Sequence, residues 1–276
     1  MKHHSYILNS QEAWEFFYLL SSIVPSQTSY TIYKGWWIWV KRWLALGVIM
    51  LMSIVVVAYE TNASDRNFFL PDPLGGIKIV IDAGHGGQDG GASKGEVIEK
   101  DITLAIAQHV EKQLKKKGAT VVMTRTTDGD VIEEHASSEK FGTLRERKKQ
   151  DIFLRKDIVA KEQPDMFITI HANAIPETKW RGAQVFYHKD GHADGEILAK
   201  NIQQSIRTNL QNTDREALSI KQIYLLKKAE VPAALVETGF ISNDEERALL
   251  VDKKYQEKMA KAIVEGIENY MLEKIE

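Results

Sequence analysis

Residues 77–124 read IKIVIDAGHGGQDGGASKGEVIEKDITLAIAQHVEKQLKKKGATVVMT. Ile77 to Ile81 is a short β-branched run of buried-strand character. A glycine-rich loop follows it. Ile102, Ile106, Val110 and Leu114 then recur every four residues ahead of Gly118, so the spacing predicts a helix over 101–117 with a glycine C-cap. Thr120 to Thr124 is strand-like again. Strand, helix and strand in succession point to parallel pairing, because parallel neighbours need a crossover between them.

The alternation continues downstream. Thr143-Leu144-Arg145-Glu146 is a capping box that opens a charged helix, which must end before Pro164. Met166–Ile170 and Ala183–Tyr187 read as strands, and Ile197, Leu198, Ile202, Ile206 and Leu210 mark a helix. Ile223–Leu226 and Ala233–Val236 read as further strands. Ser242-Asn243-Asp244-Glu245 caps a short helix, and Tyr255, Met259, Ile263, Ile267 and Tyr270 trace the last one. Asp128–Gly142 reads as an exposed loop. The expected fold is a single α/β domain over 76–272, with a mostly parallel sheet and helices on both faces.

Upstream the material changes. Five of the 6 tryptophans lie at or before Trp43, and only Trp180 lies beyond. Trp43–Tyr59, WLALGVIMLMSIVVVAY, carries no charge. As a helix it extends roughly 25 Å, the short end of what spans a bilayer. Lys34, Lys41 and Arg42 precede it, which keeps the N-terminus cytoplasmic and sends the remainder across. Residues 43–59 are therefore expected to be a signal peptide, cut near Ala63, or a membrane anchor. Residues 60–75 read as a linker. Residues 1–42 read as a leader, and translation from Val40 would place the basic residues where an export signal has them.

The net charge of -2 offers no basic field for nucleic acid. With no cysteine, any metal must be held by His and carboxylate.

Open α/β sheets build their sites beyond the carboxyl ends of the strands. The first strand here runs into Asp82-Ala83-Gly84-His85-Gly86-Gly87, the third into His171-Ala172-Asn173, and the last into Glu237-Thr238-Gly239. Two histidines and a carboxylate with a position left for water make a hydrolytic zinc site. Glu99, at the mouth of the first helix, is the natural third ligand, which leaves Glu237 as general base. A histidine at one strand end is more often structural, and it is the coincidence of three such ends that favours metal. HExxH is absent, and His109, His135, His188 and His192 lie in a helix, a loop and a polar turn.

IVIDAGHGGQDGGA (79–92), VIEKDITLAIA (97–107), MFITIHANA (166–174) and PAALVETGFISN (232–243) resemble, in order, four blocks of the zinc-dependent N-acetylmuramoyl-L-alanine amidases. The resemblance implies a twisted, mostly parallel six-stranded sheet. It implies one Zn²⁺ held by His85, Glu99 and His171, with Glu237 catalytic. The bond cut would join the lactyl carbonyl of N-acetylmuramic acid to L-alanine in peptidoglycan. Arg155 matches an arginine preceding the HAN block and is a candidate substrate contact, as is Asn173. HANAIPETKWRGAQVFY (171–187) and NLQNTDREALSIKQIYLLK (209–227) are more similar to the germination-specific, spore-cortex branch than to vegetative autolysins. That branch implies export to the outer face of the membrane, the cell wall or the forespore intermembrane space. It also implies a polysaccharide deacetylase acting on the product to allow muramic-lactam formation. A vegetative autolysin and another zinc hydrolase of wall peptides are the alternatives. A non-catalytic wall-binding module is the third, and the four intact key positions speak against it.

Overall fold

The computed structural model describes residues 15, 18, 39–54, 74–138 and 140–275. The chain divides into two units, residues 1–70 and 71–276. Within the first, residues 39–54 are helical and most of their apolar side chains are exposed. Among the described residues no helix is long and apolar enough to cross a membrane. The end of the expected apolar segment, residues 55–59, lies outside them, as do residues 60–73 and most of the leader.

The second unit has eight strands and seven helices among its described residues. The strands are β1 (Lys78–Ala83), β2 (Ser93–Lys94), β3 (Val97–Ile98), β4 (Thr120–Met123), β5 (Met166–Asn173), β6 (Gln184–Tyr187), β7 (Leu218–Ser219) and β8 (Ala233–Phe240). The helices are α1 (Glu99–Lys116), α2 (Val131–His135), α3 (Leu144–Glu162), α4 (Gly195–Leu210), α5 (Tyr224–Lys228), α6 (Asp244–Leu250) and α7 (Lys253–Ile275). The main sheet has 6 strands in the order β4-β1-β5-β8-β6-β7. All its pairings are parallel except β6 against β8. This is the expected α/β architecture with one reversed join.

The two sheet faces differ. Ile79, Ile81, Ile168, Ile170, Ala234 and Val236 point into the larger core, under α1, α4 and α7. The alternate residues Val80, Phe167 and Leu235 point the other way, into a smaller cluster with Val159 of α3 and Leu226 of α5. Strand side chains alternate with a period of two. Asp82, Thr169, His171 and Glu237 therefore share the thinly covered face. Asp82 and Thr169 are fully buried there, and His171 and Glu237 are half-buried nearer the carboxyl ends of the strands.

Two expectations are corrected. Ile223–Leu226 is not a strand, because residues 224–228 form α5 and Leu226 anchors it in the smaller core. A four-residue apolar run has no period of its own to choose between helix and strand. The edge position belongs instead to β7, paired with Phe186 and Tyr187. The stretch 128–142 is not wholly an exposed loop either. Asp130 accepts a hydrogen bond from the Glu133 N–H and caps α2, whose Val131 and Ile132 are buried. The capping box at Thr143 and Glu146 forms as expected.

Candidate metal centre

Three elements deliver the candidate residues. His85 sits in the turn after β1, Glu99 is the first residue of α1, and His171 lies within β5. One ligand atom from each lies within 4.8 Å of the other two. The Glu99 carboxylate is the hub, with Oε1 at 3.0 Å from His171 Nδ1 and Oε2 at 3.2 Å from His85 Nε2. The backbone N–H groups of Ala172 (3.0 Å) and Ala92 (2.8 Å) donate to the same two oxygens. The carboxylate is thus fixed to β5 and to the glycine-rich loop.

Close approach explains two of the glycines. A Cβ on Gly84 would stand 2.5 Å from His171 Nε2, and one on Gly91 would stand 2.5 Å from Glu99 Oε2. His85 itself has φ 63, a left-handed conformation costing a Cβ-bearing residue about 1–2 kcal/mol. Its ring is oriented from behind, since Nδ1 lies 3.0 Å from Asp89 Oδ2 and Lys148 Nζ holds Asp89 Oδ1 at 2.6 Å.

The electrostatics favour a cation. Burial alone would raise the Glu99 carboxyl, but the hydrogen bonds from His171 and His85 hold it well below the usual carboxylate range. Burial alone would lower the His85 imidazole, but Asp89 and Glu99 push it up to about 9. The same negative field that draws a proton to these nitrogens draws a metal ion. Two imidazole nitrogens and a carboxylate oxygen are a donor set for a divalent transition metal. The residues fit such a group.

Glu237 lies in the fifth position of β8, three residues short of its end, and pairs with His171 in the register of β5. Its Oε2 is buried and has no hydrogen-bond partner among the described residues. Burial pushes this carboxyl up to about 7; Glu99 adds to the push, while His171 and His85 oppose it. Asp82, His85, Ile152, His171, Tyr224 and Glu237 are among the residues lining one cleft of about 290 Å³. A larger cavity, about 480 Å³ between α3 and α5, holds no histidine.

The two remaining candidates are placed differently. Asn173 closes β5, and its carbonyl accepts from the Ile241 N–H at 2.8 Å. Arg155, a candidate substrate contact, lines the same cleft but is only 3% exposed, and its guanidinium donates to Asp151, Asp82, Ala83 and His85. The sequence reading missed Asp89, Lys148 and the buried Arg125. The four-residue spacing from His85 to Asp89 is the one local signal among these.

Fold and site together define a hydrolase family: residues 79–269 match the N-acetylmuramoyl-L-alanine amidases, and the chain belongs to that family. It is therefore an N-acetylmuramoyl-L-alanine amidase. Among its relatives is the germination-specific N-acetylmuramoyl-L-alanine amidase of Bacillus subtilis, 41% identical over 84% of this chain and 96% of that protein. N-acetylmuramoyl-L-alanine amidase LytC of the same organism is 33% identical over 73% of this chain but only 37% of its own length. The CwlD amidase from Clostridioides difficile, solved in complex with the GerS lipoprotein, superposes with a TM-score of 0.66 at 38% identity. It covers 71% of this chain and 98% of that one.

Proposed function

We propose that this amidase is a zinc enzyme of the spore cortex, with His85, Glu99 and His171 as metal ligands and Glu237 as general base. The observation that carries the mechanism is the juxtaposition of three convergent donors with a carboxylate whose buried Oε2 has no hydrogen-bond partner among the described residues. Zinc, when bound there, supplies Lewis acidity toward the carbonyl and makes a water acidic enough to lose a proton near neutral pH. Glu237 takes the proton of the attacking water and passes it to the L-alanine nitrogen as the amide breaks. A carboxyl raised toward neutrality suits both halves of that transfer. Asn173 is offered as a substrate contact on its placement at the end of β5.

The likeness to the Bacillus germination-specific amidase supports the cortex as substrate. Cleavage there leaves a free lactyl carboxylate, and a polysaccharide deacetylase acting on this product would expose the amine needed for lactam formation. The substrate places the enzyme outside the cytoplasmic membrane, in the wall or forespore intermembrane space. The apolar segment 43–59 serves as export signal or anchor, residues 60–75 as linker, and residues 76–272 as the catalytic domain. Muropeptide mass spectrometry of cortex digested with the purified enzyme tests the reading. Free stem peptides and unsubstituted glycan are expected. Products cut within the peptide would make it a peptidase instead.

A further inference from the structure

Two buried arginines grip the turn that carries His85, and the proposed chemistry uses neither charge. Arg155 donates from Nη1 to Asp82 Oδ1 (2.6 Å) and to the Ala83 carbonyl (2.8 Å). From Nη2 it donates to the carbonyl of His85 itself (2.6 Å). Its Nε is held by Asp151 Oδ2 at 2.6 Å, and the other Asp151 oxygen accepts from the Val131 N–H at 2.8 Å. The guanidinium is locked from behind before it reaches the turn.

Arg125 is 0% exposed, and its hydrogen bonds go to carbonyls and a hydroxyl rather than to a carboxylate. A guanidinium taken out of water on those terms is costly, so its acceptors are informative. Ala83 (2.9 Å) and Gly84 (3.0 Å) belong to the His85 turn. Lys100 (2.8 Å) and Thr103 (3.1 Å) belong to the first turn of α1, which begins with Glu99. One planar group therefore spans the two elements that carry His85 and Glu99. Arg155 acts at His85 directly, by bonding the carbonyl of a residue kept in a backbone region that side chains rarely adopt. That bond fixes the direction in which the imidazole leaves the chain.

We infer that Arg125 and Arg155 are positioning residues that preset the triad of His85, Glu99 and His171 for a divalent metal ion. Arg155 fixes the His85 backbone, and Arg125 ties the His85 turn to the helix of Glu99. The inference rests on the reading of His85 and Glu99 as metal ligands.

Arg125→Lys and Arg155→Lys in the full chain test it, beside His85→Ala as reference. Lysine keeps the charge but loses the planar fork that reaches several acceptors at once. The readouts are zinc affinity by competition with a chromophoric chelator, the visible spectrum of the cobalt(II)-loaded protein, and thermal unfolding without metal. Each Lys variant should bind zinc roughly 10- to 100-fold more weakly and shift the cobalt bands. Lys variants that unfold earlier yet bind zinc as tightly, with an unchanged cobalt spectrum, would make both arginines merely structural and overturn the inference. Undiminished zinc binding by His85→Ala would instead overturn the ligand reading, so the two failures are distinguishable. If a Lys variant does not fold, Asp151→Asn, which loosens Arg155, and Thr103→Val, which removes an Arg125 acceptor, are read by the same outcomes.

Discussion

His171 and Glu237 stand opposite each other in register on the parallel strands β5 and β8, and their side chains leave the same face of the sheet. On the roles proposed for them, a ligand and a base held this way keep their spacing through backbone pairing, so each can be changed without moving the other. Glu237→Gln should retain zinc while turnover falls roughly 10²-fold or more. Glu99→Gln should lose metal affinity and recover some activity in excess zinc. Metal analysis beside initial rates checks both, and metal loss in the Glu237 variant with retention in the Glu99 variant would exchange the roles.

The acid limb of the pH profile should belong to Glu237. Only the carboxylate can accept a proton, so activity rises with pH through its pKa. Burial holds the metal-free group up to about 7, and a bound cation lowers it. The midpoint of kcat/KM should therefore fall between the ordinary glutamate value, about 4.3, and about 7. The residual rate of Glu237→Gln should lack this limb. Its persistence there would assign the titration elsewhere.

Gly84→Ala should damage the metal centre with little effect on the rest of the domain. The added methyl would stand 2.7 Å from His171 Nδ1, so the imidazole must move. Reduced zinc affinity with a nearly unchanged far-UV spectrum is expected. Wild-type affinity would mean that the ring has room the geometry denies.

Asp82 should govern stability in acid. Burial alone would raise its carboxyl, but the Arg155 charge and the Thr124 and Thr169 hydroxyls hold it below the ordinary range. A group depressed in the folded state stabilises above its unfolded pKa of about 3.9, and that contribution is lost as pH falls through the folded value. Asp82→Asn removes one of the two carboxylates that pair with Arg155, leaving Asp151, and should destabilise the fold at neutral pH. Melting temperature measured from pH 7 downward should decline less steeply in the variant. Parallel curves would refute the assignment.

A chain beginning a few residues ahead of Leu74, near Pro71, should fold and remain soluble without detergent. The buried core runs from Leu74 to Tyr270, and the exposed apolar residues of 39–54 belong to the other unit. Aggregation of the shorter chain while the full one stays dispersed would contradict this boundary.

Much of the site was legible because its residues follow strongly patterned segments. Four-residue spacing announced α1, β-branched runs announced β1 and β5, and a short apolar run announced β8, so the residues next to them could be placed on one sheet edge. Tertiary contacts hid the rest. Leu226 decides that α5 is a helix, yet its partners Val159 and Phe167 are remote in sequence. Arg155 read only as a candidate substrate contact, by resemblance, and nothing local singled out Arg125. Their acceptors are backbone carbonyls that only the folded turn assembles, and no local pattern reports a carbonyl's direction.

The strand order has a consequence for when activity arises. β8, the last strand made, is inserted between β5 and β6, and among the described residues β6 pairs only with β8 and β7. His85, Glu99 and His171 all come from chain that precedes it. A nascent polypeptide can therefore bring its three donors together while the sheet still has a gap where Glu237 will stand. β6 waits beside that gap without a neighbour on its inner edge. Such long-range pairing is intrinsically late. On the proposed role of Glu237, the enzyme would gain its power to cut wall polymer only once β8 is in place, with α6 and α7 still to follow it in the chain.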